Sequence, residues 1–378
     1  MKTGEFYAFT AQIKEPQAFE KPSKSARLPL ISLLIVLFAG CGFFWKEISA
    51  AQSELSSVEK FFLPESAEVV EQRNPIYDLV ISPFGETLLY RDHHGKVYQQ
   101  ELVTSQDRRG SVIDLFPGMS CEGMKMSPVG NTLAVTFSTG EVCLKKLDTS
   151  GDPIILLGES DRITESLAFS PDGNLLAAGM TNGSVIVWDT QSLETVGVIR
   201  GKNTTAFCVL FDTPTSLLIS FDNGLEHWRF REPNGSRKRW RRSKSWRIDQ
   251  SVAREMEVTS DGHYLLAASF DGKVTCWDLS TQERFWEQKL SLPCARSLQI
   301  SRDEKTFVCH GDTDTITVRD LNTGEPIIWL TDPDMGTGTG ARFSMDGNLL
   351  YSSSSDGLIR FWTIPGESLI GTVVTSSP

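Results

Sequence analysis

One unit recurs seven times in this 378-residue chain, and its spacing leaves few folds open. The clearest copy runs from Phe169 to Asp189, F-S-P-D-G-N-L-L-A-A-G-M-T-N-G-S-V-I-V-W-D. Leu167 and Phe169 end one apolar strand. Pro171-Asp172-Gly173 makes a turn in which Pro fixes one φ and Gly can take a φ above zero. Leu175 to Ala178 makes a second strand, Asn182-Gly183 is a strong hairpin signal, and Val185 to Trp188 makes a third. Three apolar strands joined this tightly form an antiparallel sheet whose two greasy faces a single copy cannot bury. Aligned on the residue after the first strand, the copies stand at Ser82, Ser127, Ser170, Asp212, Thr259, Ser301 and Ser344, with spacings of 45, 43, 42, 47, 42 and 43. A second turn follows at Gly95, Gly140, Gly183, Gly272 and Gly357, with Asp314 in the sixth copy and Gly224 one residue early in the fourth. A period in the low forties predicts an all-β chain of radially stacked sheets, a seven-bladed β-propeller of four-stranded antiparallel sheets.

Five positions after the second turn stand Trp188-Asp189, Trp277-Asp278, Arg319-Asp320 and Trp362-Thr363. With the spacing, these residues resemble the WD-repeat family over about Pro75 to Thr375. The resemblance is specific as to fold and nearly silent as to function. It implies a rigid disc that offers the loops of one face to a protein partner, with no catalysis of its own. The repeats are degenerate. WD repeats commonly carry a Gly-His pair before the first strand, whose His joins a buried network with the turn Asp, a strand Ser or Thr and the Trp. Here those positions read Gly158-Glu159 and Gly201-Lys202, and the only Gly-His pair, Gly262-His263, lies in another turn. Gln100 and Lys145 stand where blades one and two would carry Trp. The expectation is a propeller held by apolar packing between blades, with the polar network mostly absent. Leu369 to Val374 is read as the fourth strand of the last blade, with Ala67 to Val70 adding a further strand outside it.

Ahead of the propeller, read over residues 75–378, the chain divides in three. Residues 1–27 carry two prolines and no clear periodicity and read as a flexible tail. Leu28 to Trp45 is an uncharged run that spans about 27 Å as a helix, just enough for the hydrocarbon core of a bilayer. It reads as a retained transmembrane helix. Phe38-Ala39-Gly40-Cys41 offers lipidation at Cys41 as an alternative, and Ser49-Ala50-Ala51 offers cleavage. Lys2, Lys14, Lys21, Lys24 and Arg27 precede the run, while Lys46 and Lys60 are the only cations soon after it, which points to a cytoplasmic tail and an extracytoplasmic propeller. Residues 46–74 read as a juxtamembrane helix and linker, with an apolar seam from Cys41 to Phe62 that Pro64 ends.

The net charge of −11 disfavours nonspecific nucleic-acid binding by the whole surface, and no sequence-specific nucleic-acid partner is expected. Against that charge stands R-K-R-W-R-R-S-K-S-W-R. Its Arg237, Lys238, Arg239, Trp240, Arg241, Arg242, Lys244, Trp246 and Arg247 are the candidate partner-binding residues. Cations interleaved with tryptophan suit anionic lipid headgroups, an acidic polymer or an acidic protein. The plain alternative is a solvated edge strand kept from pairing with another chain, its two Trp packed on the blade.

Other candidates carry less. Gly336-Thr337-Gly338-Thr339-Gly340 precedes a strand rather than a helix, so it lacks the helix N-terminus of a phosphate cradle and reads as a flexible approach to an inner strand. His93, His94 and His310 fall near second turns and read as surface histidines. Asp172, Asp261, Asp271 and Asp356 have turn roles. The seven scattered cysteines, with no C-x-x-C, read as buried small hydrophobes. No cofactor, metal or catalytic arrangement is expected. An enzyme or small-ligand sensor would need acids, histidines or a metal converging on the central channel, which the sequence does not announce.

Overall fold

Alternating apolar strands and glycine turns build seven four-stranded antiparallel sheets. The computed structural model describes residues 69–364, apart from 72–73, 103–112, 115, 117, 150, 157–163, 202–203, 223, 232–238, 247–251, 291–294, 312 and 333–334. The tail, the apolar run 28–45, the seam 41–62 and the strand expected over 369–374 lie outside those residues. Among the described residues no helix is long and apolar enough to cross a membrane.

The chain enters through β1 (Val69–Glu71). Blade one is β2 (Ile76–Ile81), β3 (Thr87–Asp92), β4 (Val97–Glu101) and β5 (Ile113–Asp114). Blade two is β6 (Cys121–Met126), β7 (Thr132–Phe137), β8 (Val142–Lys146) and β9 (Ile154–Leu156). Blade three is β10 (Thr164–Phe169), β11 (Leu175–Met180), β12 (Ser184–Asp189) and β13 (Thr195–Arg200). Blade four is β14 (Ala206–Thr213), β15 (Ser216–Phe221), β16 (Gly224–Arg231) and β17 (Arg239–Trp246). Blade five is β18 (Ala253–Val258), β19 (Tyr264–Ser269), β20 (Lys273–Asp278) and β21 (Arg284–Lys289). Blade six is β22 (Ala295–Ile300), β23 (Thr306–Gly311), β24 (Thr315–Asp320) and β25 (Pro326–Thr331). Blade seven takes β26 (Gly338–Phe343), β27 (Leu349–Ser354) and β28 (Leu358–Thr363) from the end of the chain.

The fourth strand of blade seven is β1, which pairs with β28 through Val69↔Arg360, Val70↔Ile359 and Glu71↔Leu358. The linker strand read from the sequence thus lies at the circumference, but not outside another strand. The place expected for Leu369–Val374 is already filled, because β28 bonds β27 on one edge and β1 on the other. Both ends of the propeller therefore meet in one sheet.

Successive side chains on a strand face opposite ways, so a blade between two neighbours needs apolar residues on both faces. In β11, Leu176 and Ala178 pack toward blade two, while Ala177 packs toward blade four. Seven apolar clusters fill the seven interfaces in this manner. The last one closes the ring: Tyr351, Ile359 and Phe361 of blade seven meet Leu79, Leu88 and Tyr90 of blade one. Burying each Leu or Phe stabilises by roughly 1.5–3 kcal/mol, and Leu176→Ala in the middle of one interface costs about 2–5 kcal/mol.

The turns work as their residues require. Gly173 and Gly183 sit at φ of 71° and 77°. Asp172, Asp261 and Asp346 accept hydrogen bonds from Ser170, Thr259 and Ser344 at 2.6, 2.6 and 2.5 Å, each also taking a backbone N–H. Asp271 and Asp356 hold Ser269 and Ser354 in the same way at the other turn. The expected loss of the polar network is uneven. Trp362 Nε1 donates to Ser352 Oγ at 2.8 Å, and Arg319, in the Trp position of blade six, donates to Thr317 Oγ1 and to the Gly324 carbonyl.

Candidate functional site: the channel and its mouth

Every innermost strand carries a β-bulge at the same place. The register shifts fall at Ile76/Asp78, Cys121/Gly123, Thr164/Ser166, Ala206/Cys208, Ala253/Glu255, Ala295/Ser297 and Gly338/Gly340. A bulge re-aims the extra residue. Here the extra residues are Tyr77, Glu122, Glu165, Phe207, Arg254, Arg296 and Thr339, one per blade around the mouth of the central channel. Tyr77, Glu122, Phe207, Arg254, Arg296 and Thr339 line a cavity of 610 Å³ together with Arg91 and Phe270.

The mouth pairs aromatic rings with guanidinium groups. Arg91 lies 5.8 Å over the Tyr77 ring and Arg254 lies 5.2 Å over Phe270, which meets Phe207 edge-on at 5.7 Å. Tyr77 and Phe270 are 47% and 43% exposed, large apolar surface left in water beside cations.

Below the mouth the same strands turn further charges inward. Asp78 and Glu255 occupy the position after the bulge, and Lys125, Glu257 and Arg342 stand two residues deeper. Burial pushes the carboxyls of Glu255 and Glu257 above the ordinary range, and Lys125 and Arg342 pull them only part of the way back. Arg342 Nη1 is held by Ser297 Oγ at 2.6 Å. Acids thus converge on the channel although the sequence does not announce them. These residues stand five, four and two positions before Ser82 and its equivalents, a regularity present in the sequence, but only the bulge turns those positions to the axis.

The basic stretch divides. Arg239 to Trp246 form β17, the outer strand of blade four; Arg237, Lys238 and Arg247 lie outside the described residues. Trp240 is 6% exposed, packs against Phe211 and Phe230, and fills the space over Gly197. It is an anchor for the strand. Arg241 and Arg242 are exposed, and Arg242 Nη1 meets Glu226 Oε1 at 2.6 Å.

Two other expectations are corrected. His310 is fully buried rather than at the surface, with Nδ1 3.2 Å from the Gly340 carbonyl, and burial pushes its pKa down to about 4. Its ring takes the space a side chain at residue 338 would need, since a Cβ there would lie 1.7 Å from Nε2. The glycines of 336–340 are thus explained by close packing: a Cβ on Gly336 would lie 2.5 Å from Ser355 Oγ, and one on Gly340 would lie 2.9 Å from Ser353 Oγ. His227 is buried too, with Nε2 3.0 Å from Asp212 Oδ2. Burial raises the Asp212 carboxyl, but hydrogen bonds from His227 and Ser216 outweigh it and hold the group low.

Cys121, Cys143, Cys208, Cys276 and Cys309 are buried thiols outside any disulfide; Cys41 and Cys294 lie outside the described residues. Burial pushes the first four thiols up to about 12, so they stay protonated at neutral pH. Among the described residues no group of three His, Cys, Asp or Glu is placed to hold a metal ion.

Comparisons with known proteins agree with this architecture. Residues 124–213 match the family model of the anaphase-promoting complex subunit 4 WD40 domain, and residues 250–278 and 339–363 match that of the WD domain, G-beta repeat. An uncharacterized WD repeat-containing protein of Synechocystis is 32% identical over 127 residues, 33% of this chain and 35% of that protein. The transcription factor unc-37 of Caenorhabditis elegans is 23% identical over 259 residues, 67% of this chain and 33% of its own. Periodic tryptophan protein 2 of Arabidopsis thaliana is 26% identical over 229 residues, 59% of this chain and 24% of its own. The chain spans between about a quarter and about a third of the length of these relatives. The matches support the WD-repeat family, whose propellers are generally non-catalytic scaffolds that bind proteins.

Proposed function

We propose that this WD-repeat propeller is a membrane-anchored scaffold whose channel mouth receives a segment of a protein partner. One observation carries the reading: seven aligned bulges direct Tyr77, Glu122, Phe207, Arg254 and Arg296 to one opening, beside exposed Phe270. Aromatic and arginine side chains at the centre of a contact carry most of its binding energy. Capture from membrane extracts with the full chain tests it. Phe207→Ala/Phe270→Ala is expected to lose the partner at least tenfold while its melting stays close to that of the parent; unchanged capture would overturn the assignment of the mouth.

The anchor rests on the uncharged run Leu28–Trp45 and on the excess of Lys and Arg before it. That pattern puts the tail in the cytoplasm and the propeller on the far side. Protease added to intact cells is expected to degrade the propeller; full protection would reverse the orientation.

A second reading is favoured by the channel charges. Two carboxyls pushed upward by burial and facing Lys125 and Arg342 suit a small polar ligand in the 610 Å³ cavity. Screening metabolites by thermal shift separates the two readings: a large shift abolished by Glu255→Gln favours the ligand.

A further inference from the structure

Pairing β16 with β17 brings together cations that the sequence keeps apart. The register sets Arg229 opposite Arg241 and Arg231 opposite Arg239, with Lys244 opposite His227. By the two-residue period of a strand, Arg229 and Arg241 share one face of this hairpin, and both are exposed. Phe230 and Trp240 pair on the other face, against blade three.

Like charges set directly across a sheet are unfavourable, and here two such pairs are adjacent. Neither Arg229 nor Arg241 makes an ion pair among the described residues. Glu226, the acid within the two strands, is engaged by Arg242 and by Trp228 Nε1 at 3.0 Å. Protection of an exposed edge accounts for cations on β17, the last strand of its sheet. It does not account for Arg229 and Arg231, because β16 is bonded on both sides.

We propose that this face of the β16–β17 hairpin binds phosphate groups, presented by lipid headgroups or free in solution. Both cations are arginine, whose planar fork matches phosphate with two parallel hydrogen bonds. The buried Trp240 fixes the strand that carries Arg241, so the backbone beneath the pair is held in place before any ligand arrives. An anion bridging opposed guanidinium groups turns the repulsion into attraction.

The test uses the full chain in neutral detergent and two probes, fluorescent inositol trisphosphate and a short-chain phosphoinositide with the same headgroup in neutral micelles. Binding is expected to weaken at least tenfold in Arg229→Gln/Arg241→Gln and to fall as salt rises, while the melting temperature does not drop. Equal binding of both probes shows that the phosphates suffice, and binding of the lipid alone assigns the source to a membrane. The proposal fails if neither probe binds, if the variant binds like the parent, or if polyglutamate binds as tightly as the phosphate probes. The hairpin is at the circumference and the mouth is at the axis, so variants at Phe207 and Phe270 leave this result untouched and the scaffold reading fails or stands separately.

Discussion

Blades four and seven are made from one repeating unit, yet they treat charge in opposite ways. In blade seven Arg360 is 2% exposed and meets Asp332 Oδ2 and Asp356 Oδ2 at 2.7 Å each, with Ser354 Oγ at 3.1 Å. In blade four Arg229 and Arg241 stand in water opposite one another with no acid between them. The buried cation joins the approach loop of its blade to the strand that receives β1, where the ring is closed. The exposed cations join nothing within the described residues. Paired, desolvated charge therefore marks a place where the fold is held, and opposed, hydrated charge marks a place left open for something else.

The contrast is broken most sharply at its buried end. Arg360→Leu leaves Asp332 and Asp356 without their cation and is expected to cost about 3–5 kcal/mol, on the order of 10 °C in melting temperature. Burial raises the Asp356 carboxyl, but its bonds to Arg360 and Ser354 prevail and hold it low. Its contribution is present above the unfolded carboxylate range and lost as pH falls through the folded value, so the gap between variant and parent narrows in acid.

Next in size is a pH effect at the interface between blades six and seven. His310 titrates at about 4 instead of 6.5 because burial disfavours its charged form. Above pH 6.5 the ring is neutral in both states and costs nothing; below it the unfolded chain takes up a proton that the buried ring refuses, so stability falls toward pH 4, by about 2 kcal/mol at pH 5. Urea melts of the parent and of His310→Asn at pH 7 and pH 5 read it as a slope that the variant lacks. Gly197→Ala follows, since its Cβ would lie 2.4 Å from Trp240 Cδ1 and force the anchor of β17 to shift. It is expected to cost about 1–3 kcal/mol, seen by melting and by near-ultraviolet dichroism. Smallest is Arg241→Glu, which sets opposite charges across from Arg229 and is expected to stabilise by about 0.2–1 kcal/mol; a clear loss of stability in calorimetry would show that Arg241 has a structural role.

Period and turn chemistry made the seven blades readable, because most blades repeat the same glycine-bearing turns and all need apolar residues on both faces. Closure was half readable. The linker strand near Val69 showed itself, but nothing local decides whether β28 takes its last partner from residue 70 or from residue 370. Channel residues such as Lys125, Glu255 and Arg342 stayed hidden because a bulge of one residue changes which positions face the axis, and strand alternation alone assigns them wrongly. His310 stayed hidden because its burial depends on a glycine 28 positions away. Arg229 and Arg231 lie outside the conspicuous basic run and join it only through the pairing of β16 with β17.

Closure of the ring by its own first strand underlies both the rigid mouth and the fixed outer hairpins. Cysteines introduced at residues 71 and 358, which face each other in the β1–β28 pair, measure it directly, since opposed residues of antiparallel strands lie within disulfide reach. Under mild oxidation the full chain is expected to form one intrachain bridge between them, identified by mass spectrometry. Two thiols that both remain free to alkylation, with the protein still folded, would contradict the account.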